Sequence, residues 1–385
     1  MSGSRSLSPM KPIYLDYNAT TPIDPEVADV MLFCMREVFG NPSSAHAYGV
    51  EARRVVEAAR AQAAGLLNCS TGEILFTSGG TESNNHALKG AARANRHRGN
   101  HIVTSAVEHP AVSEVCQSLA AEGFEISVIG VDPTGLVDLA ALERALGERT
   151  ILVSVMHANN EVGTVQPIGE IARMARERGI LVHTDAAQSV GKIPVDVGAL
   201  GVDLLTVAGH KLYAPKGVGA LYIREGVRLA TFMHGAGHES GRRAGTENVI
   251  GIAGLGKACE VAKRDIGAAG DRMKRSRDRL QEGILRDVPD VRVNGPRDRR
   301  LPNTLSVAFR GLDAGALLGS MEGLAASAGA ACHGTSVEVS KTLRAMGVPL
   351  EWSRGTIRLS TGKCTTDEEV DRAIDIIAGA VKKLR

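Results

Sequence analysis

Aromatic residues make up only 3% of this 385-residue sequence, and Trp352 is the single tryptophan. So few rings argue against a nucleic-acid surface built on base stacking. Charge offers no other route to such a partner. The 45 basic and 43 acidic residues leave a formal net charge of +2, too balanced to draw the chain to nucleic acid or to an anionic membrane. No run is long and apolar enough to span a bilayer, and the Ser-rich stretch from Met1 to Lys11 lacks the apolar centre of a secretory signal. The six cysteines, at 34, 69, 116, 259, 332 and 364, form no CxxC pair. A zinc knuckle and a disulfide framework are therefore not indicated, and scattered thiols suit a reducing compartment. His234 and His238 have a spacing that binds metal on a helix, but glycines surround them and HExxH is absent. The expectation is a cytoplasmic protein with no metal, no nucleic-acid partner and no membrane partner.

What is present is alternation. From about residue 50 to 262, helical patterns (51–67, 81–94, 168–178) are interleaved with short β-branched, apolar strand patterns at 73–77, 101–106, 151–156, 180–184, 203–208 and 219–223. This order predicts an α/β sheet, mostly parallel, with helices on both faces. After about residue 262 the character changes. A charged helix is expected over 271–286, strands over 304–310 and 356–360, and a final helix opening on the capping box Thr366…Glu369. Val370, Ile374, Ile377, Val381 and Leu384 then share one helical face. This region reads as a smaller α+β unit, so the expected division is a large domain over 23–262 and a small one formed by 1–22 with 263–385.

Asp185 and Lys211 each stand at or just beyond the carboxyl end of a strand pattern, where open α/β sheets bind ligands. A lysine and a carboxylate delivered there together suit pyridoxal phosphate, the lysine forming a Schiff base and the carboxylate pairing with the pyridinium nitrogen. Taken alone, the two could equally be surface groups that end strands. Ser78 to Ser83 joins a strand to a helix through Gly79 and Gly80, a turn suited to a phosphate but without the lysine of a Walker loop. His109 follows another strand and could stack on a planar cofactor or carry protons, or simply bond a loop carbonyl. Asn160 could bond a ring hydroxyl, with turn chemistry the other reading, and Gln188, three residues after Asp185, could point to the same pocket. Cys332 lies among tiny residues (327–334) beside His333 and is the candidate nucleophilic thiol, whereas Cys34, Cys69, Cys116 and Cys259 read as buried hydrophobes. Arg358, within an apolar strand, either faces water or clamps a carboxylate with its planar fork.

These segments resemble the cysteine desulfurases, with motifs in that family's order and spacing over nearly the whole chain. The stretches that carry the likeness are Tyr14 to Pro22, Gly40 to Ser44, Thr77 to Ser83, Val107 to His109, His183 to Gln188, Gly209 to Lys211, Gly245-Thr246, Ser327 to Cys332 and the strand bearing Arg358. The resemblance implies a fold type I pyridoxal-phosphate enzyme with a seven-stranded, mostly parallel sheet in the large domain, active as a homodimer. It implies that Lys211 is the Schiff-base lysine, Asp185 the pyridine partner and His109 the stacking ring. Asn160 and Gln188 would contact the ring hydroxyl, with Asn160 also beside the substrate. Gly80, Thr81 and His210 would contact the phosphate, and Thr246 the phosphate of the other subunit. Arg358 would bind the substrate carboxylate, and Cys332 would take the sulfur as a persulfide. The expected partners are L-cysteine and a sulfur-acceptor protein such as an iron–sulfur scaffold. Selenocysteine lyases share most of these motifs and remain an alternative, as does an inactive scaffold that binds the acceptor. Ala208 departs from the pattern: many desulfurases have a serine there that bonds the phosphate.

Overall fold

The computed structural model describes residues 11–328 and 339–385. Its centre is a seven-stranded sheet in the order Ile74–Thr77, Gly219–Ile223, Leu204–Ala208, Leu181–Asp185, Thr150–Ser154, His101–Ser105 and Glu125–Ile129. Neighbouring strands are parallel except at Gly219–Ile223, which runs antiparallel to both of its neighbours. Only residues 209–218 link it to the preceding strand. That is too short for the crossover of about a dozen residues that a parallel return needs.

All but one of the strands within 74–223 fall where the apolar patterning places one, with ends displaced by a residue or two. The strand Glu125–Ile129 was not anticipated. It lies at the edge of the sheet, and only Ile129 in it is buried, so its apolar signal is weak. Both faces of the sheet are covered. Along Leu204–Ala208, Leu204 joins one apolar cluster while Leu205 and Val207 join the opposite one; along Gly219–Ile223, Leu221 and Ile223 face one way and Ala220 and Tyr222 the other. Period-two side chains on a doubly covered sheet require this, and it explains why these strands read as continuous apolar runs rather than alternating ones.

A second, four-stranded antiparallel sheet has the order Ser327–Ala328, Thr356–Ser360, Thr304–Phe309, Val291–Asn294. Its apolar cluster includes Leu305, Val307, Phe309, Ile357 and Leu359. Ile13 and Leu15 come to it from the start of the described chain, and Val370, Ile374, Ile377 and Val381 from the last helix. That helix, Asp367–Leu384, has the expected capping box, but Leu384 is exposed where its final turn leaves the core.

The charged helix expected over 271–286 is the second half of a 39-residue helix, Val249–Asp287. Gly267 and Gly270 do not interrupt it, since glycine costs a helix only about 1 kcal/mol and no proline intervenes. Its first half packs into the core of the large sheet through Ile252, Leu255 and Cys259, its second into the other core through Leu280 and Ile284. No helix among the described residues is long and apolar enough to cross a membrane.

At Gly256 this helix lies close against Ala47–Leu67. A Cβ placed there would lie 2.5 Å from the Cα of Ala59. Helix propensity alone would make Gly256→Ala stabilising by about 1 kcal/mol. The clash is with backbone, so the variant should instead lose about 1–3 kcal/mol, read as a lower urea midpoint.

Candidate active site

Four strand ends and two helix starts open onto a cavity of about 250 Å³ at the carboxyl edge of the large sheet. Gly80, Thr81, His109, Asn160, Asp185, Gln188, Ala208, His210 and Lys211 all line it, together with Asn84 and Met156. Distances in sequence of up to 131 residues thus collapse to one pocket because parallel strands all deliver their next residue to the same edge.

The helix Gly80–Ala94 begins at the pocket after Gly79, whose φ of 144° favours glycine. Its first-turn N–H groups have no carbonyl within the helix and form an anion site. A Cβ on Gly80 would come within 3.2 Å of that of Ala208, so the turn lies directly against the strand end. Glu82, one residue beyond Thr81, accepts from the Ser78 N–H at 2.8 Å and pairs with Arg243 at 2.8 Å. Burial pushes the Glu82 carboxyl up, but Arg243 and the Ser78 bonds outweigh it and hold the group below its ordinary value. The Arg243 pair ties the glycine-bearing loop from His234 to Thr246 to the anion turn. Thr246, farther along this loop, is exposed and lies outside the cavity of its own chain.

Asp185 ends its strand almost fully buried. Its Oδ1 accepts from the Ala187 N–H at 2.9 Å and its Oδ2 from Asn84 Nδ2 at 2.7 Å. Asn84 escaped the sequence reading. One helical turn beyond Thr81, its position on the pocket face of that helix was the available signal.

His109 caps the helix Pro110–Ala121. Its Nδ1 accepts from the Ala111 N–H at 3.1 Å, which leaves the proton of the neutral ring on Nε2. The ring is open to the cavity, yet desolvation by the surrounding protein lowers its pKa, Asp185 opposing and Lys211 assisting. His210 is pushed down to about 4 by burial and by Lys211, Lys216 and Lys192, and its Nδ1 lies 3.1 Å from Thr20 Oγ1.

Lys211 Nζ donates to the Asn18 carbonyl at 2.7 Å. Burial lowers its pKa to about 8, Arg358 adds to the effect, and Asp185 and Asp16 oppose it. Arg358 does not line the cavity itself. It is buried, donating from Nη1 to the Asn160 carbonyl at 3.0 Å and from Nη2 to Asp16 Oδ1 at 2.8 Å, while its Nε is buried without a partner. It therefore points inward, and Asp16 already occupies part of its fork.

Cys332 lies outside the described residues. Of the thiols expected to be buried hydrophobes, Cys34, Cys116 and Cys259 are buried and Cys69 is half-buried, with burial pushing Cys69, Cys116 and Cys259 up to about 12. None of these is a thiolate near neutral pH. Cys364 is exposed.

A family model, aminotransferase class-V, matches residues 13–373. This chain belongs to that family. Cysteine desulfurase IscS of Dictyoglomus turgidum is 47% identical over 375 residues, 97% of this chain and 95% of that protein. A solved NifS-like protein superposes with a TM-score of 0.91 at 39% identity, covering 97% of this chain and 100% of the other. A structure described as SspA in complex with cysteine gives 0.80 at 33% identity, covering 92% and 99%. The fold is accordingly that of the fold type I enzymes, and the family implies pyridoxal phosphate.

A lysine with a depressed pKa becomes a neutral nucleophile at lower pH than a solvated one. Uptake of pyridoxal phosphate by the apoprotein, followed by absorbance in stopped flow, should therefore quicken as pH rises and level off above about 8. An ordinary lysine would still be gaining rate near 10.

Proposed function

We propose that this chain is a pyridoxal-phosphate-dependent cysteine desulfurase that converts L-cysteine to L-alanine and passes the sulfur to the thiol of Cys332. The cavity carries the proposal: a buried carboxylate, a lysine acidified to about 8, an open imidazole and a helix N-terminus meet there. This donor set fits the cofactor. Lys211 would hold its aldehyde carbon, Asp185 its ring nitrogen, and Gly80, Thr81 and His210 its phosphate, with His109 against the ring face. Asn160 and Gln188 would contact its phenolic oxygen. Ala208 offers no hydroxyl to the phosphate, a loss of about 0.5–1.5 kcal/mol that the other donors offset. When bound, the cofactor supplies an electron sink for the substrate's α-carbon.

The chain's own residues do the rest. Arg358 would receive the substrate carboxylate as Asp16 gives up its place on the fork, with Asn160 beside the substrate. Lys211 Nζ, a free amine above about pH 8, would carry the proton at the α-carbon. Cys332 Sγ would form an S–S bond to the substrate sulfur as the substrate's C–S bond breaks. The thiol proton is returned to the departing carbon skeleton, so that cysteine plus thiol becomes alanine plus persulfide. The persulfide would then be handed to an acceptor protein such as an iron–sulfur scaffold. The high pKa values of Cys34, Cys69, Cys116 and Cys259 support this choice of thiol.

The active species is proposed to be a homodimer. Leu32, Phe33, Met35, Phe39 and Tyr48 are large apolar side chains left exposed along 32–48, and the Phe39 and Tyr48 rings lie 4.9 Å apart. Exposed apolar side chains grouped in this way suit a protein contact. Thr246, outside its own cavity, would reach the phosphate of the other subunit. The chain would divide into a large cofactor-binding domain over 23–262 and a small one from 1–22 and 263–385. The small domain would bring Cys332 and Arg358 to the site.

Incubated with pyridoxal phosphate, L-cysteine and a reductant, the protein should yield alanine and sulfide in equal amounts; an α-keto acid product would overturn the assignment. Cys332→Ala should keep the cofactor's absorbance and lose sulfide production, and normal turnover by that variant would remove Cys332 from the mechanism. Arg358→Lys keeps the charge but loses the fork, and should raise KM for cysteine about 10- to 100-fold in steady-state assays.

A further inference from the structure

Lys192 is the one buried lysine near the pocket for which the proposed reaction has no use. Its side chain is 5% exposed, and its Nζ donates to Asn18 Oδ1 at 2.9 Å and to Gln188 Oε1 at 2.8 Å. Both partners are neutral amides, and both belong to the site. Gln188 lines the cavity, and the carbonyl of Asn18 accepts from Lys211 Nζ.

We propose that Lys192 is a positioning residue: it locks the Gln188 amide with its oxygen turned away from the cavity and its N–H2 edge available to an acceptor-only oxygen of the bound ring. An amide presents a donor edge and an acceptor edge, and only its neighbours decide which faces the ligand. Lys192 is a donor, so the oxygen of Gln188 must face it. The Asn18 carbonyl is an acceptor only, and it takes the Gln188 Nε2 at 3.0 Å. Turning the amide over would set N–H against N–H at Lys192 and oxygen against oxygen at Asn18. Asn18 is itself held by the same logic. Its Oδ1 accepts from Lys192 and from Asn303 Nδ2 at 2.9 Å, and its Nδ2 donates to Thr304 Oγ1 at 2.8 Å and to the Asn160 carbonyl at 3.2 Å.

The lock does not depend on the charge of Lys192. Burial, with Lys211 and Arg358 nearby, pushes its pKa well below the ordinary lysine value, and His210 is a further titratable neighbour. As a neutral amine it keeps two N–H groups for its two acceptors but gains a lone pair, and the acceptor-only Asn18 carbonyl on Gln188 Nε2 then completes the lock. A phenolic oxygen in its anionic form accepts hydrogen bonds and gives none, so a fixed donor edge selects that form. A neutral hydroxyl would have no such preference.

The inference rests on the cofactor reading above, and the test separates the two. Holoenzyme would be prepared as wild type, Lys192→Met, Gln188→Leu and the double variant. The absorbance of the bound cofactor would be titrated with pH, and the melting temperature recorded alongside. Without the locked donor, the anionic oxygen is less stabilised, and the midpoint in Lys192→Met should rise by about 0.5–1 pH unit. In the Gln188→Leu background the same substitution should add no further rise, although any loss in melting temperature should persist. An unmoved midpoint in Lys192→Met would overturn the proposal. So would a rise that survives undiminished without Gln188, since that marks a direct charge effect. Should Lys192→Met fail to fold, Lys192→Gln keeps the site polar while permitting either amide orientation, and the same two outcomes decide. A wild-type protein that takes up no pyridoxal phosphate would sink the cofactor reading and this inference with it.

Discussion

Asn18 joins the two halves of this site, and most of the pocket depends on it. Fully buried, it engages every polar atom it has. Its N–H donates to Ser360 Oγ at 2.9 Å and its carbonyl accepts from Lys211 and Gln188. Its amide binds Lys192, Asn303, Thr304 and the Asn160 carbonyl. Some of these partners follow strands of the large sheet; others sit on the small antiparallel sheet. A polar residue with no exposure can be retained only if all its groups are satisfied, because each orphan would cost about 1–3 kcal/mol. That requirement makes the network all-or-none. It fixes where Lys211 hangs, and through the Asn160 carbonyl, which also accepts from Arg358, it ties the lysine to the proposed substrate clamp.

The electrostatics of the pocket follow from the same burial. Desolvation disfavours charge on His109, His210 and Lys211 and lowers the pKa of each. The result is two neutral imidazoles and a lysine that becomes neutral near pH 8, grouped around one buried carboxylate. Asp16 sits on the fork of Arg358 at 2.8 Å, an arrangement a substrate carboxylate could replace without leaving the guanidinium bare.

Much of this was legible in the chain. Six strands of the large sheet read as apolar runs with polar residues at their ends. Those ends held the reactive groups because a parallel sheet sends the loop after each strand to the same edge. The motifs from Tyr14 to Arg358 pointed to the desulfurases before any geometry was available. The edge strand Glu125–Ile129 was missed because, with one buried residue, it carries little apolar signal. Of the long helix Val249–Asp287 only the charged second half reads as a helix in the sequence, because the buried first half is rich in glycine and alanine and lacks a contrasting polar face. Asn84, Asn18 and Lys192 were passed over as site residues for a related reason. Nothing local distinguishes a polar side chain that supports a pocket from one that faces water.

By itself, then, the sequence determined the family, the alternation of strands and helices, and which residue types stand at strand ends. Each of these depends on local pattern, or on motif order along the chain. The tertiary structure alone decided that Arg358 turns inward onto Asp16 and that Asp185 is held by Asn84. It also decided that the amides of Asn18 and Gln188 each have one permitted orientation. These are properties of buried polar atoms whose partners lie up to 342 residues away, and hydrogen-bond satisfaction over such separations exists only once the chain has folded.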